Sequence, residues 1–588
     1  MRFNRRRTKP LSNVDVAWYQ MEDPTNLMMI TGVIMFDEPM DFERLKSTLD
    51  YRLVQRFRRF RRRIVETPYR IGRPYWMDDP TFDLDAHIHE VALPEPGDQD
   101  ALQDMVSDLM SAPLDFSKPP WQFHLIHGFG EGSALLARLH HSIGDGIALI
   151  KVMLSLTDTE ADAPLPTPEQ KKPKGWDPLA PITRPARSAI KFTGRAVKTT
   201  VKVTRSVVRD PENLVNLARV GTDAALTTGR LLLMSPDPDT IYKGSLGVSK
   251  RATWSEPIPL SEIKLIGRGV GGTVNDVLMS AATGAMRRYM IGRDEDVDDL
   301  NFRSVIPVNL RRESEELSLG NKFGLVFLSL PIGVEDPVDR LRELKRRMDD
   351  LKGTTEPLVA FGILNMMGMM PDRLEDVVAG MFGTKATLVM TNVPGPREQL
   401  YLAGAPIEQM VFWVPQSGRL GLGISILSYN GQVTVGVASD TGLVPDPEVI
   451  LHGFREELHA LKDEMRARLM ETATEFDIPV AGEPVRRDSG QSDPDDTETP
   501  VAEPTQADLT LAKPSARPEH SDHLTRIAGI GQTFATRLYE AGINTFEELA
   551  ACTEKQLAAV IEAPDWRRPD YRSWIEEARA LAGSTTHP

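Results

Sequence analysis

A single cysteine, Cys552, stands in 588 residues, so no intramolecular disulfide and no thiolate cluster for a metal can form. A reducing compartment is the natural reading of that scarcity. Long apolar runs are also missing: nothing reaches the roughly eighteen uninterrupted apolar residues that a membrane-crossing helix needs. The basic start, MRFNRRRTKPLSNVD, is not followed by the apolar core of a signal peptide. These absences predict a cytoplasmic chain, soluble or held peripherally at an inner membrane or at lipid inclusions. Positive charge is in deficit, 69 Lys and Arg against 84 Asp and Glu, a formal charge of −15, which disfavours nonspecific attraction to nucleic acid. What is abundant points to a globular chain with many turns. Apolar residues make up 41%, ample for large cores, beside 44 prolines and 43 glycines.

The chain is longer than one domain, and its patterning divides it. Residues 9–163 read as a first α/β region. MMITGVIMF (Met28–Phe36) is a strand candidate, followed by a helix that Asp41 can cap by accepting its free N–H groups. FHLIHGFG and GSALLARLHHSIGDG suggest two strands joined by a glycine turn, with IALIKVMLSLT as a helix after Gly146. Residues 164–239 have linker composition and carry Lys191, Arg195, Lys198, Lys202, Arg205 and Arg209 at helical spacing. That series fits an exposed interdomain helix, or a face toward anionic lipid. Residues 240–475 form a second α/β region with a long helix in GGTVNDVLMSAATGAMRRYM and strands in FRSVIPVNL, KFGLVFLSLPI, ATLVMTNVPGP, GLGISILSYNG and QVTVGVASD. Residues 480–520, rich in Pro, Asp, Glu, Ser and Thr, are expected to be a disordered acidic tether. Residues 521–582 regain helical periodicity as a small all-α domain.

The sharpest chemical signal is HHSIGDG: His140, His141, Ser142, Ile143, Gly144, Asp145 and Gly146. It falls at a strand–loop–helix junction, where a side chain can enter a cleft from a rigid base. Neutral imidazole suits the removal of an alcohol proton near neutral pH. A thioester already has a reactive carbonyl and a good leaving group, so an activated alcohol can attack it directly. His141 is the preferred base, with His140 shaping the strand edge. Asp145 orients the loop, while Gly144 and Gly146 allow a tight exit by tolerating unusual backbone angles. No metal-ligand spacing is present.

HHSIGDG, with LSNVDVAWYQME, PLDFSKPPW, GGTVNDVLMS, NFRSVIPVNLRR, LGNKFG and TNVPGP, resembles the bacterial wax ester synthase/diacylglycerol acyltransferase family, among the CoA-dependent acyltransferases with HHxxxDG motifs. The resemblance spans roughly residues 9–470. PLDFSKPPW departs from the family's PLW in having proline where that motif has leucine. The resemblance implies an α/β fold of two related acyltransferase lobes around a central tunnel, which alcohol and acyl-CoA reach through different openings. It implies His141 as general base, Asp145 as the residue maintaining loop and domain geometry, and Asn275 as a hydrogen-bond donor to the developing oxyanion. Asp276 supports the local turn or helix. Acyl-CoA is the donor substrate, with no bound cofactor, and fatty alcohol or diacylglycerol the acceptor. A specialised natural-product alcohol or amine is the alternative acceptor, and a noncatalytic lipid-binding scaffold the alternative class.

Several other residues invite a function but have plain structural readings. Met366, Met367, Met369 and Met370 can line a tunnel or pack a core. Trp121 anchors its loop or touches substrate, and Arg303 and Lys322 meet phosphate or form salt bridges. Asp15 reads as a structural anchor. WMDDPTFDLDAHIH has spacing too irregular for a metal site. The tail LTRIAGIGQTFATRLYEAGINTFEELAACTEKQLAAVI resembles a helix-hairpin-helix module, with Gly529 and Gly531 at the turn and Thr545 or Asn544 capping FEELA. Its balanced charge favours a protein partner or self-association over nucleic acid.

Overall fold

The computed structural model describes residues 8–67, 72–164, 227–311 (without 228 and 232), 319–369 (without 353), 380, 383–416, 420–475, and 524–583 without 525, 526, 528, 529, 531 and 562–570. The basic series at 191–209, the acidic tether and the hairpin glycines 529 and 531 lie outside the described residues. Two compact units, 1–483 and 484–588, divide the chain.

In the larger unit the first lobe comprises α1 (Asn13–Gln20), β1 (Met29–Phe36), α2 (Phe42–Leu49), β2 (Ile88–Ala92), α3 (Gln99–Ser111), β3 (Trp121–Phe129), β4 (Gly132–His140) and α4 (Gly146–Leu154). Asp41 caps α2 through Oδ1, which accepts the Arg44 N–H at 2.9 Å. β4 is buried along its whole length because both faces of its sheet are covered. Leu135, Ala137 and Leu139 meet Leu45, Leu49 and Trp121 on one side; Ala134 and Leu136 meet Leu102 and Val106 of α3 on the other. Such a strand reads as one apolar run without alternation. Trp121, fully buried, donates from Nε1 to the Phe60 carbonyl at 2.9 Å and is a structural anchor.

The second lobe comprises β5 (Lys250–Trp254), α5 (Val274–Ile291), β6 (Phe302–Asn309), β7 (Phe323–Leu330), α6 (Pro337–Leu351), α7 (Glu356–Met367), β8 (Leu388–Pro394), β9 (Gln409–Trp413), β10 (Leu422–Tyr429), β11 (Gln432–Asp440) and α8 (Glu448–Glu475). Its sheet runs β7-β6-β8-β10-β11-β5, with Ile258–Pro259 also paired to β11. Thr273 and Asp276 form a reciprocal capping box at the start of α5, whose apolar body packs on the sheet.

The five-stranded sheet runs β9-β1-β4-β3-β2, so it recruits β9 from the second half of the chain. Val411 pairs with Val33 in that antiparallel junction. A division of lobes by sequence position alone therefore misplaces 409–413. The exchange ties the two lobes together at the strand that neighbours β4.

The smaller unit packs α9 (Gln532–Glu540), α10 (Phe546–Ala551), α11 (Glu554–Ile561) and α12 (Tyr571–Gly583) around Leu538, Phe546, Leu549 and Trp574. Thr545 caps α10 in a second capping box with Glu548. No helix among the described residues is long and apolar enough to cross a membrane.

Candidate active site

HHSIGDG closes the end of β4 and starts α4. Asp145 is the N-cap, accepting the Ala148 N–H on Oδ1 at 2.9 Å. Neither motif glycine adopts the left-handed conformation that the sequence suggests. Gly146 is the first residue of α4. Gly144 bridges Gly320, and a Cβ there would make only ordinary contacts, 3.4 Å from Ala148 and 3.6 Å from the Gly320 nitrogen, so spacing alone does not demand glycine.

The two histidines have different environments. His140 Nδ1 accepts the Ser142 amide N–H at 3.1 Å and the Ser142 hydroxyl at 2.7 Å, which leaves the proton on Nε2, 3.4 Å from Glu22 Oε2. Ser142 is fully buried and spends its hydroxyl on that bond, so it is not presented as a nucleophile. His141 lies against the face of Trp18, centroids 3.9 Å apart and planes at 21°, with Phe323 at 5.6 Å. Burial lowers its pKa to about 3, and the nearby His140 adds to the shift. The Asn321 amide and the backbone carbonyl of His141 itself act in the opposite direction and do not compensate. The ring is therefore neutral at physiological pH.

Groups remote in sequence hold the loop. The His141 amide N–H donates to the Met28 carbonyl at 2.8 Å, and its own carbonyl accepts from Asn321 Nδ2 at 2.9 Å. Asp15 in turn accepts from Asn321 Nδ2 at 2.9 Å and pairs with Arg59 at 3.3 Å, while Arg59 Nη1 donates to the Ile143 carbonyl at 2.8 Å. Asp15 is thus a buried anchor. Asp145 meets Arg311 through both carboxylate oxygens, with Oδ1 at 2.6 Å, and also accepts the Lys322 backbone N–H at 2.9 Å. Arg311 reaches on to the Gly320 carbonyl. Asp145 is a buried structural clamp between lobes that also borders the cavity beside His141.

A cavity opens beside His141. Trp18, Ile147 and Ile150 border it from the first lobe. Across it stand Val305, Pro307, Phe323, Leu325, Val389, Thr391 and Val393, alternate residues of β6, β7 and β8, together with Asn392, Phe412, Val414 and Pro415. A second recess, bordered by Asn26, Thr31, Lys250 and Gln416, shares Val414 and Pro415 with the first.

Other residues singled out in the sequence lie elsewhere. Asn275 is not among the cavity's lining: its amide N–H faces Met348 Sδ at 3.8 Å, and its Oδ1 accepts from Asn392 Nδ2 at 2.8 Å. Asp276 serves the α5 cap. Arg303 pairs with Asp237 at 2.8 Å and bonds the Ser235 carbonyl. Of the methionines, Met367 is buried beside Trp18 in a small cluster, whereas Met366 and Met369 face outward, 54% and 59% exposed. None of these three lines the cavity, and Met370 lies outside the described residues. Conversely, Trp18, Arg59, Arg311 and Asn321 were not identified from the sequence. The signal for Arg311 was indirect: a carboxylate capping a helix between two buried strands needs a cation, and NFRSVIPVNLRR offers one.

Comparison with known proteins adds an independent line. Residues 11–278 match the wax ester synthase/diacylglycerol acyltransferase catalytic domain, and residues 319–462 the C-terminal domain of the same family. Residues 524–582 match the RS2/RL21/YNQ2 HHH domain. A provisionally named diacylglycerol O-acyltransferase of Mycobacterium tuberculosis (strain CDC 1551 / Oshkosh) is 25% identical over 466 residues, covering 77% of this chain and 89% of the relative. A Mycobacterium bovis relative with the same provisional activity is 26% identical, over 76% of this chain and 94% of its own. Among solved structures, the wax ester synthase/diacylglycerol acyltransferase from Marinobacter aquaeolei VT8 superposes with a TM-score of 0.55 at 22% identity, covering 78% of this chain and 99% of that one. A trichothecene 15-O-acetyltransferase from Fusarium sporotrichioides gives 0.53 at 13%, covering 77% and 95%. At such identities the two structures speak to the fold.

Proposed function

The chain belongs to the wax ester synthase/diacylglycerol acyltransferase family, and on that premise we propose that it moves a long-chain acyl group from acyl-CoA to the hydroxyl of a fatty alcohol or diacylglycerol. The products are a wax ester or a triacylglycerol. The observation that carries this reading is a neutral imidazole, His141, set at the wall of an otherwise largely apolar cavity between two lobes. His141 takes the hydroxyl proton as the alcohol oxygen attacks the thioester carbonyl, whose π electrons move to oxygen. When that pair returns, the carbon–sulfur bond breaks, and the imidazolium gives the proton to the departing thiolate. No acyl-enzyme is required.

Purified full-length protein incubated with long-chain acyl-CoA should yield esters from long-chain alcohols or diacylglycerol in product-resolved assays. Rapid transfer to a polar acceptor with failure of every lipid alcohol would overturn the proposal. The depressed pKa gives a second check. The active form is neutral, protonation comes from the acid side, and a lowered pKa moves that loss to lower pH. The kcat/KM profile should therefore stay flat through about pH 6.5, where an ordinary histidine protonates. An acidic limb centred there would mean that the working base is a solvated imidazole and not buried His141.

A further inference from the structure

The sheet that faces His141 lines the cavity with apolar side chains apart from Thr391 and Asn392, and Asn392 is bonded to Asn275. Val305, Pro307, Leu325, Val389 and Val393 share that face, and Thr391 lies between the last two on β8. Its strand is fixed by pairing with β10, where Thr391 faces Ser425. The hydroxyl makes no hydrogen bond to any described residue, whereas Thr283 and Thr387 in the same lobe bond theirs to a carbonyl and a carboxylate. The hydroxyl is open to the cavity, where valine, its near-isostere, would complete the apolar face and offer no donor.

The proposed reaction places negative charge on the carbonyl oxygen as the alcohol adds, and a donor aimed at that oxygen must exist somewhere in the cavity. The Asn275 amide is turned to Met348, and Asn392 donates to Asn275. Asp145 accepts hydrogen bonds and is bound to Arg311. We propose that Thr391 is a catalytic residue whose Oγ1 donates to this oxyanion while His141 holds the transferred proton. The assignment rests on the acyl-transfer reading. The hydrogen bond strengthens as the carbonyl π pair moves onto oxygen and weakens when that pair returns and sulfur leaves with the proton from His141; Thr391 itself gains and loses no covalent bond.

Steady-state kinetics of Thr391→Val and Thr391→Ser test it, with melting midpoints as the folding control. Valine suits the apolar face, and serine keeps the donor. Thr391→Val should lower kcat by about 10²–10³-fold, the usual loss for one oxyanion donor, with both KM values little changed. Thr391→Ser should retain most of the rate. An unchanged kcat in Thr391→Val, with His141→Ala still inactive, overturns the assignment and moves the donor to the free N–H groups at the start of α4. Equal losses in both variants reduce Thr391 to packing, and a rise in KM for the alcohol alone makes it an acceptor contact. Either result overturns the oxyanion role. A folded parent inert toward every acyl-CoA and acceptor pair ends both this assignment and the transfer reading.

Discussion

His141→Ala should lower the transfer rate by about 10²–10⁴-fold, the range over which a positioned general base contributes, while leaving the protein folded. The expectation of folding comes from what the ring does at rest. Its contact with Trp18 is a stacked pair, of the kind that contributes about 0.5–1.5 kcal/mol beyond burial. Against that loss, truncation removes a buried Nδ1 that has no hydrogen-bond partner. Backbone bonds to Met28 and Asn321 survive alanine, so the loop keeps its path. His140→Ala is a different experiment. It deletes the acceptor of both Ser142 bonds and should disturb the loop as well as the rate. The decisive comparison is therefore the initial rate of His141→Ala against parent at matched melting midpoints. Parental turnover in the variant would end His141's role. A partial return of rate on adding free imidazole would show that the missing function is proton transfer and not loop shape.

Burial explains why such a base can work with so low a pKa. A buried imidazolium at His141 is penalised because few polar groups replace its hydration. In the reaction its charge forms beside an oxyanion and then a thiolate, each of opposite sign. Attraction between close charges is stronger where water is excluded. The cavity thus keeps the base neutral before substrate arrives and supports the ion pair only when chemistry creates it.

The sequence carried the elements whose causes are local. Asp41 and Thr545 cap helices through bonds that close within three residues, and strands such as Gln432–Asp440 declare themselves by composition and turns. His141 could be found because its motif is contiguous. The surroundings that fix its chemistry could not. Asp15 meets Asn321 across 306 positions, and Asp145 meets Arg311 across 166. No periodicity encodes such pairs. Lys322 and Arg303 drew attention as charges. Yet beside Lys322 it is the neutral Asn321 that reaches the His141 carbonyl, and Arg311, two residues past the end of the strand that holds Arg303, is the cation that reaches Asp145. Asn275 drew attention as a donor, and a heavy-atom neighbour from α6, Met348, occupies its amide. The exchange of β9 into the first sheet was equally silent, since QMVFW pairs as readily with one sheet as with the other until tertiary packing decides.

Arg311→Met should be the most damaging substitution to stability around the site, costing about 3–5 kcal/mol, because it strands the Asp145 carboxylate in the interior. Both side chains are almost fully buried, 3% and 4% exposed, so water cannot replace the lost guanidinium. The carboxylate would keep only the N–H groups of Ala148 and Lys322. Urea unfolding of the single variant should show the loss, and a midpoint equal to parent would mean that the clamp is not energetically important. Pairing the change with Asp145→Asn separates charge from geometry. Asparagine still accepts the Ala148 N–H as an N-cap and carries no charge to strand, so Asp145→Asn/Arg311→Met should recover much of the stability. It cannot recover the bond that Arg311 makes to the Gly320 carbonyl. That carbonyl precedes Asn321, the residue bonded to the His141 carbonyl. The double variant should consequently fold well and still turn over slowly, with kcat reduced more than either KM. Full activity in a restabilised double variant would instead make the clamp a matter of stability alone, with the position of His141 set by Asp15, Arg59 and Asn321.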